Sequence, residues 1–142
     1  MAAQSADWQR IGLIVPSSNT VVETDFQRAL PPGVTLHTAR MFLAETTAEA
    51  ERRMVYDHVP LAVADIASLH PHVVVFACTS AGAVLGAEGE ARLMAEMAAQ
   101  CQAPVVSTNS AVGEAIARHA PRRVAVLTPY IDELKAAIRA GL

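Results

Sequence analysis

Apolar residues in this chain fall into short unbroken runs separated by longer stretches with helical spacing. The runs occupy residues 11–15, 34–39, 73–77, 105–107 and 124–127, are rich in Val, Ile and Leu, and read as strands buried on both faces. The stretches between them read as helices. Thr20 and Glu23 have the spacing of a capping box that opens the first helix, and Thr46 with Glu49 repeats it for the second. Pro60 then stands where a helix restarts rather than continues. Leu93, Met97 and Cys101 follow at i, i+4 and i+8; Val112, Ala115, Ile116 and His119 share one face, as do Ile131, Leu134 and Ile138. Met54, Met94 and Met97 are core residues by spacing. Strands alternating with helices predict right-handed crossovers and a parallel sheet covered on both sides, which is a doubly wound α/β fold.

There is no internal repeat, low-complexity segment or long linker. Pro121-Arg122-Arg123 forms a polar joint before the last run and divides the chain into a lobe, 1–121, and a segment, 122–142, expected to be the first strand and helix of a second lobe. One strand and one helix is an odd place for a compact lobe to finish, so the chain reads as part of something larger. With 142 residues, 52% of them hydrophobic, it has the apolar surface for an ordinary core. Lysine and arginine number 11 against 14 acids, and no basic cluster interleaves with aromatics, which argues against nucleic acid and for a small partner. No apolar run reaches the roughly 18 residues of a membrane span, and the first residues lack a signal peptide's apolar stretch. A cytoplasmic protein is expected, without membrane contact.

In an open parallel sheet, ligands bind beyond the carboxyl ends of the strands, where neighbouring crossovers leave in opposite directions. For a flavodoxin-like lobe with strand order 2-1-3-4, that crevice lies between the loops after the first and third strands. These read Pro16-Ser17-Ser18-Asn19-Thr20 and Cys78-Thr79-Ser80-Ala81-Gly82. Neither carries a GxxxxGK[ST] or GxGxxG phosphate loop, a receiver's acidic residues are missing from the strand ends, and Val84 stands where a small phosphatase needs arginine. The two cysteines, Cys78 and Cys101, show no CxxC or Cys/His ligand spacing, so neither a disulfide framework nor a metal site is indicated. What remains is a thiol among hydroxyls, amides and helix-start N–H groups, suited to a small carboxylate. At such a place Cys78 is expected half exposed, with its pKa lowered toward neutrality, as nucleophile or proton acceptor. Ser17, Thr108 and Asn109 are secondary candidates because their loops also lie beyond strand ends. His37, His58, His70, His72 and His119 are scattered and read as surface or packing residues.

Three motifs, Gly12-Leu13-Ile14-Val15-Pro16-Ser17-Ser18-Asn19-Thr20, Cys78-Thr79-Ser80 and Thr128-Pro129-Tyr130, resemble in order and spacing the first half of maleate cis-trans isomerases, within the aspartate/glutamate/hydantoin racemase superfamily. The resemblance runs over nearly the whole chain. It implies two facing lobes, each giving one cysteine to a central site that works without cofactor. In the isomerases a thiolate adds to the maleate double bond, the succinyl-like adduct rotates, and elimination gives fumarate; the racemases use the cysteines as an acid and base pair. Carried over, Cys78 is the nucleophile or base, and Tyr130 hydrogen-bonds the substrate from the start of the second lobe. Asn19 binds a substrate carboxylate, with its amide left free by the Thr20/Glu23 cap, and Thr79 and Ser80 add donors. The second cysteine of the pattern is missing, and Cys101, on a buried helical stripe, does not replace it. The leading expectation is therefore maleate isomerase-like chemistry, with the isolated chain inactive. The alternatives are racemisation of an amino acid or hydantoin, decarboxylation of a malonate, or a non-catalytic lobe that binds carboxylates. Cys78 counts against the decarboxylase, which in this superfamily typically lacks the first-lobe cysteine. An unpaired lobe would expose apolar surface, so self-association is also expected.

Overall fold

The computed structural model describes residues 8–128, 130 and 132–141. Strands β1 (Gln9–Pro16), β2 (Val34–Met41), β3 (Val73–Phe76) and β4 (Val105–Ser107) form one parallel sheet in the order β2-β1-β3-β4, as the alternating pattern predicts. The unbroken apolar runs have a direct cause: both faces of the sheet are covered. Ile14, Met41, Val74 and Phe76 point to one side, where they pack against three helical elements, α2 (Ala48–Arg53), α3 (Val59–Ala67) and α4 (Thr79–Cys101). Leu13 and Val15 point to the other side, toward Val22 and Phe26 of α1 (Val22–Ala29). The crossovers flanking β1 and β3 thus lie on opposite faces, which opens the crevice at the carboxyl ends of those strands. At Gly12 the strand passes so close beneath Ile66 of α3 that a Cβ would collide with it.

The helix starts differ from the capping patterns in the sequence. Val21, at the N-cap position of the first helix, makes no side-chain bond, and Asn19 takes the capping role from two residues ahead, its Oδ1 accepting from the N–H groups of Val21 at 2.9 Å and Val22 at 3.0 Å. Thr20 and Glu23 form no box, because Arg40 on β2 draws the Glu23 carboxylate into an ion pair and donates to the carbonyls of Ser17 and Asn19. The second helix is capped one residue later than expected, with Thr47 Oγ1 accepting from Ala50 N–H at 3.2 Å. Pro60 stands, as expected, in the first turn of a new helical element, α3, which begins at Val59. The helical backbone runs into it from α2 through a π turn, Met54–His58, with Val59 N–H bonded to the Met54 carbonyl. The wider turn accommodates a residue that lacks an N–H and crowds the carbonyl four positions back.

The predicted fifth strand does not form. Residues 124–127 run without a partner, Leu127 is 97% exposed, and a strand without a neighbour leaves its backbone groups unpaired. Helix α5 (Thr108–His119) forms as expected, but its apolar face stays uncovered and Val112 is 43% exposed. Helix α6 (Asp132–Gly141) forms and packs against α4. Ile131, and Pro129 of the third motif, lie outside the described residues. Among the described residues, no helix is long and apolar enough to cross a membrane, and no group of His, Cys, Asp and Glu is placed to hold a metal ion.

Candidate functional site

The chain leaves β3 through Ala77 and enters α4 at Thr79, so Cys78 occupies the N-cap position with extended backbone, φ −140° and ψ 101°. Strand and helix together hold it at the crevice edge. The side chain points inward: Cys78 is 4% exposed, not half exposed as the sequence suggests. Its Sγ lies 3.7 Å from Glu51 Oε2 and 3.5 Å from Ser80 Oγ, and the Ser80 hydroxyl donates to Glu51 Oε1 at 2.5 Å. Three buried polar side chains thus close a triangle.

The electrostatics of the triangle reverse a second expectation. Burial pushes the Cys78 thiol up to about 12, and the Glu51 charge pushes the same way. The Ser80 hydroxyl and the Ala81 N–H oppose this, but the helix start closes no cap hydrogen bond to the sulfur. The helix N-terminus is therefore outweighed by desolvation and a neighbouring anion. Burial also raises Glu51 above the usual carboxylate range, against the lowering effect of its bonds from Ser80 and Cys78.

Around this centre the remaining candidates form two groups. Thr79 Oγ1 is 2.7 Å from Tyr130 Oη, which seats the tyrosine over the start of α4. Asn109 Nδ2 donates to the Thr79 carbonyl and to Glu90 Oε2, both at 3.2 Å, and Thr108 Oγ1 donates to the Phe76 carbonyl at 3.4 Å. Gly82 makes room for this brace, since a Cβ there would meet both Asn109 and Glu90. The second group belongs to the loop after β1. Ser17 Oγ accepts from Leu43 N–H at 3.0 Å and donates to its carbonyl at 3.4 Å, so it straps the end of β1 to the segment after β2. Asn19 uses Oδ1 as the helix cap, which leaves Nδ2 as its group for a ligand.

Substitutions separate the cap at Asn19 from the contact expected between its amide and a carboxylate. Asn19→Ala is expected to lower stability by about 1 kcal/mol through loss of the cap, while Asn19→Asp keeps the cap and replaces the amide donor with a charge that repels a carboxylate. Thermal melts and dicarboxylate titrations of both variants check this: Asp should melt near wild type yet bind worse than wild type.

Glu51 is the site residue that the sequence reading missed. Its signal was present: with Met54 and Val55 at i+3 and i+4, it occupies the buried stripe of its helix, where an acid is out of place. Two surface depressions lie away from Cys78. The better defined, about 490 Å3, is lined by Phe42, Leu43, Glu45, Arg53, Met54 and His58 on the other side of α2.

Residues 11–142 match the family model described as arylmalonate decarboxylase. A curated maleate isomerase from Nocardia farcinica is 34% identical over 135 residues, covering 89% of this chain and 53% of that protein. Among solved structures, N. farcinica maleate cis-trans isomerase, as a cysteine-to-serine mutant with a covalently bound succinylcysteine intermediate, superposes with a TM-score of 0.83 at 32% identity, over 93% of this chain and 57% of that one. A glycine-to-cysteine, cysteine-to-serine double mutant of arylmalonate decarboxylase in its liganded form gives a TM-score of 0.81 at 26% identity, over 92% and 55%. The chain spans about half the length of the curated relatives it matches.

Proposed function

Because the chain belongs to the arylmalonate decarboxylase family, we propose that it supplies the nucleophilic half of a site that isomerises maleate to fumarate, with Cys78 as the attacking group. The observation that carries this reading is the position of the Cys78 sulfur. It lies at the switch-point edge of the sheet and at the start of α4, in a chain whose curated relatives are maleate isomerases. Those relatives favour isomerisation over racemisation or decarboxylation, which the same scaffold also carries.

The chemistry follows from the thiol. Sγ bonds to one alkene carbon, and the π pair moves to the other, where the adjacent carboxylate delocalises it. The former double bond is now single and rotates. Collapse of the carbanion expels Sγ and restores the double bond in the trans form. No electrons enter or leave, so the cycle needs no cofactor. The N–H groups at the start of α4 and the Thr79 hydroxyl are suited to the charge that develops on the carboxylate. Tyr130, docked on Thr79, and Asn19 Nδ2 bind the substrate carboxylates, while Ser17, Thr108 and Asn109 keep the loops in place. In this reading residues 1–121 form one lobe and residues 122–142 begin another. The apolar run at 124–127 stays unpaired because the sheet it belongs to is not among these elements.

The test is covalent capture. Maleate added to the protein should place one succinyl group on Cys78, the carbanion taking a proton from water instead of expelling the sulfur, and Cys78→Ser should remove it; capture that survives the substitution contradicts the reading.

A further inference from the structure

Glu51 is 0% exposed, and its surroundings on its own helix are apolar, with Met54 and Val55 buried beside it and Arg52 and Arg53 turned to solvent. Among the described residues it forms no ion pair with a lysine, arginine or histidine. A buried acid without a cation is costly, so packing does not account for it. Both of its oxygens are instead directed at the loop after β3, one to Cys78 Sγ at 3.7 Å and the other to Ser80 Oγ at 2.5 Å. These partners come from 27 and 29 residues away, so the fold brings the acid to the thiol.

We propose that Glu51 takes the proton from the Cys78 thiol as the sulfur attacks, and returns it when the sulfur leaves. The proposal rests on the reading of Cys78 as the nucleophile and adds the base that this nucleophile lacks. The step is balanced: the S–H bond breaks, its electron pair forms the bond from sulfur to the alkene carbon, and the proton moves to Glu51 Oε2. On elimination the departing sulfur recovers the electron pair and the proton, and Glu51 is again a carboxylate. The pair carries one negative charge before transfer, and that charge passes to the substrate adduct rather than being created in a buried place. Ser80 orients the acid by donating to Oε1, which leaves Oε2 turned toward sulfur.

The environment supports this route. A thiol pushed up to about 12 does not release its proton to water near neutrality, whereas Glu51 is close enough to receive it and burial increases its proton affinity. The groups that face Glu51 are Cys78 and Ser80 from the loop and first turn of α4, with Met54 and Val55 apolar on its own side. Cys78 is therefore its one titratable neighbour among the described residues, and the two titrate as a pair.

The test is the rate of iodoacetamide labelling at Cys78 as a function of pH, read by peptide mass so that Cys101 is counted separately. In the unmodified chain the rate should level off across neutral pH, where the pair holds one proton, and rise again only at strongly alkaline pH. Glu51→Gln should lose the plateau, with the neutral rate falling roughly tenfold to a hundredfold. A folded Glu51→Gln protein that labels as fast as wild type or faster at pH 7 overturns the proposal, since Glu51 would then only suppress the thiolate. So does a wild-type profile with no plateau. If Glu51→Gln does not fold, Ser80→Ala decides. Without its hydrogen bond to Oε1 the carboxyl holds its proton more tightly, so the lower inflection should move to higher pH, and an inflection that stays in place is contrary. Maleate is absent from this measurement, so a failure here is distinct from a failure of maleate capture at Cys78.

Discussion

Residues 1–142 on their own are expected to add maleate at Cys78 without turning it over to fumarate at an enzymatic rate. Turnover needs the substrate held between groups on opposite faces, in a cavity that excludes water. Among the described residues the polar cluster around Cys78 approaches from one side only. Cys101 cannot serve as the opposing group. It lies at the opposite end of α4 from Cys78, with its sulfur turned to the Val63 carbonyl of α3 rather than to the loop edge of the sheet. Positioning of reacting groups is worth on the order of 7–11 kcal/mol, so its absence should cost many powers of ten in rate. Proton NMR of maleate incubated with the chain, with Cys78→Ser alongside, measures this directly. Sustained Cys78-dependent fumarate production would show that a second copy of the chain completes the site.

A large loss of stability at alkaline pH is the second expectation. The folded Cys78 thiol is raised from 9.0 to about 12, so the fold favours the neutral form. The sign follows from linkage: this contribution is fully present below pH 9 and is lost as the pH rises toward and through 12. A shift of that size corresponds to on the order of 4 kcal/mol at the alkaline end. The informative quantity is the difference between wild type and Cys78→Ser, whose hydroxyl does not ionise in this range. Denaturant midpoints from pH 8 to pH 11 should fall more steeply for the wild type. Parallel curves would mean that the buried thiol is not held neutral by the fold.

Parallel order and the two-sided burial of the sheet were legible in the sequence because they rest on local, repeated signals: apolar runs of strand length alternating with helical stripes. The crevice loops were legible for the same reason, since topology alone places residues 16–20 and 78–82 at one edge. Capping was not, because Arg40, from another strand, decides the fate of Glu23 and leaves the cap to Asn19. The π turn was hidden because a proline signals a missing donor, and not whether the helix ends or widens. The state of the thiol was hidden for a similar reason. A cysteine at a helix start suggests a lowered pKa, but burial raises it instead, and Glu51, entering from a helix 27 residues earlier, adds to the rise. Residues 124–127 carry a strand's composition, yet a strand exists only where it has a neighbour to pair with.

The most direct test of the account is site-resolved capture of maleate. The chain is incubated with maleate near neutral pH, digested, and each cysteine-bearing peptide is weighed, with Cys78→Ser and maleate-free samples in parallel. The account predicts a succinyl adduct confined to Cys78, absent from Cys101 and abolished by Cys78→Ser. An adduct on Cys101 alone, or equal modification of both cysteines in the folded chain, would contradict it.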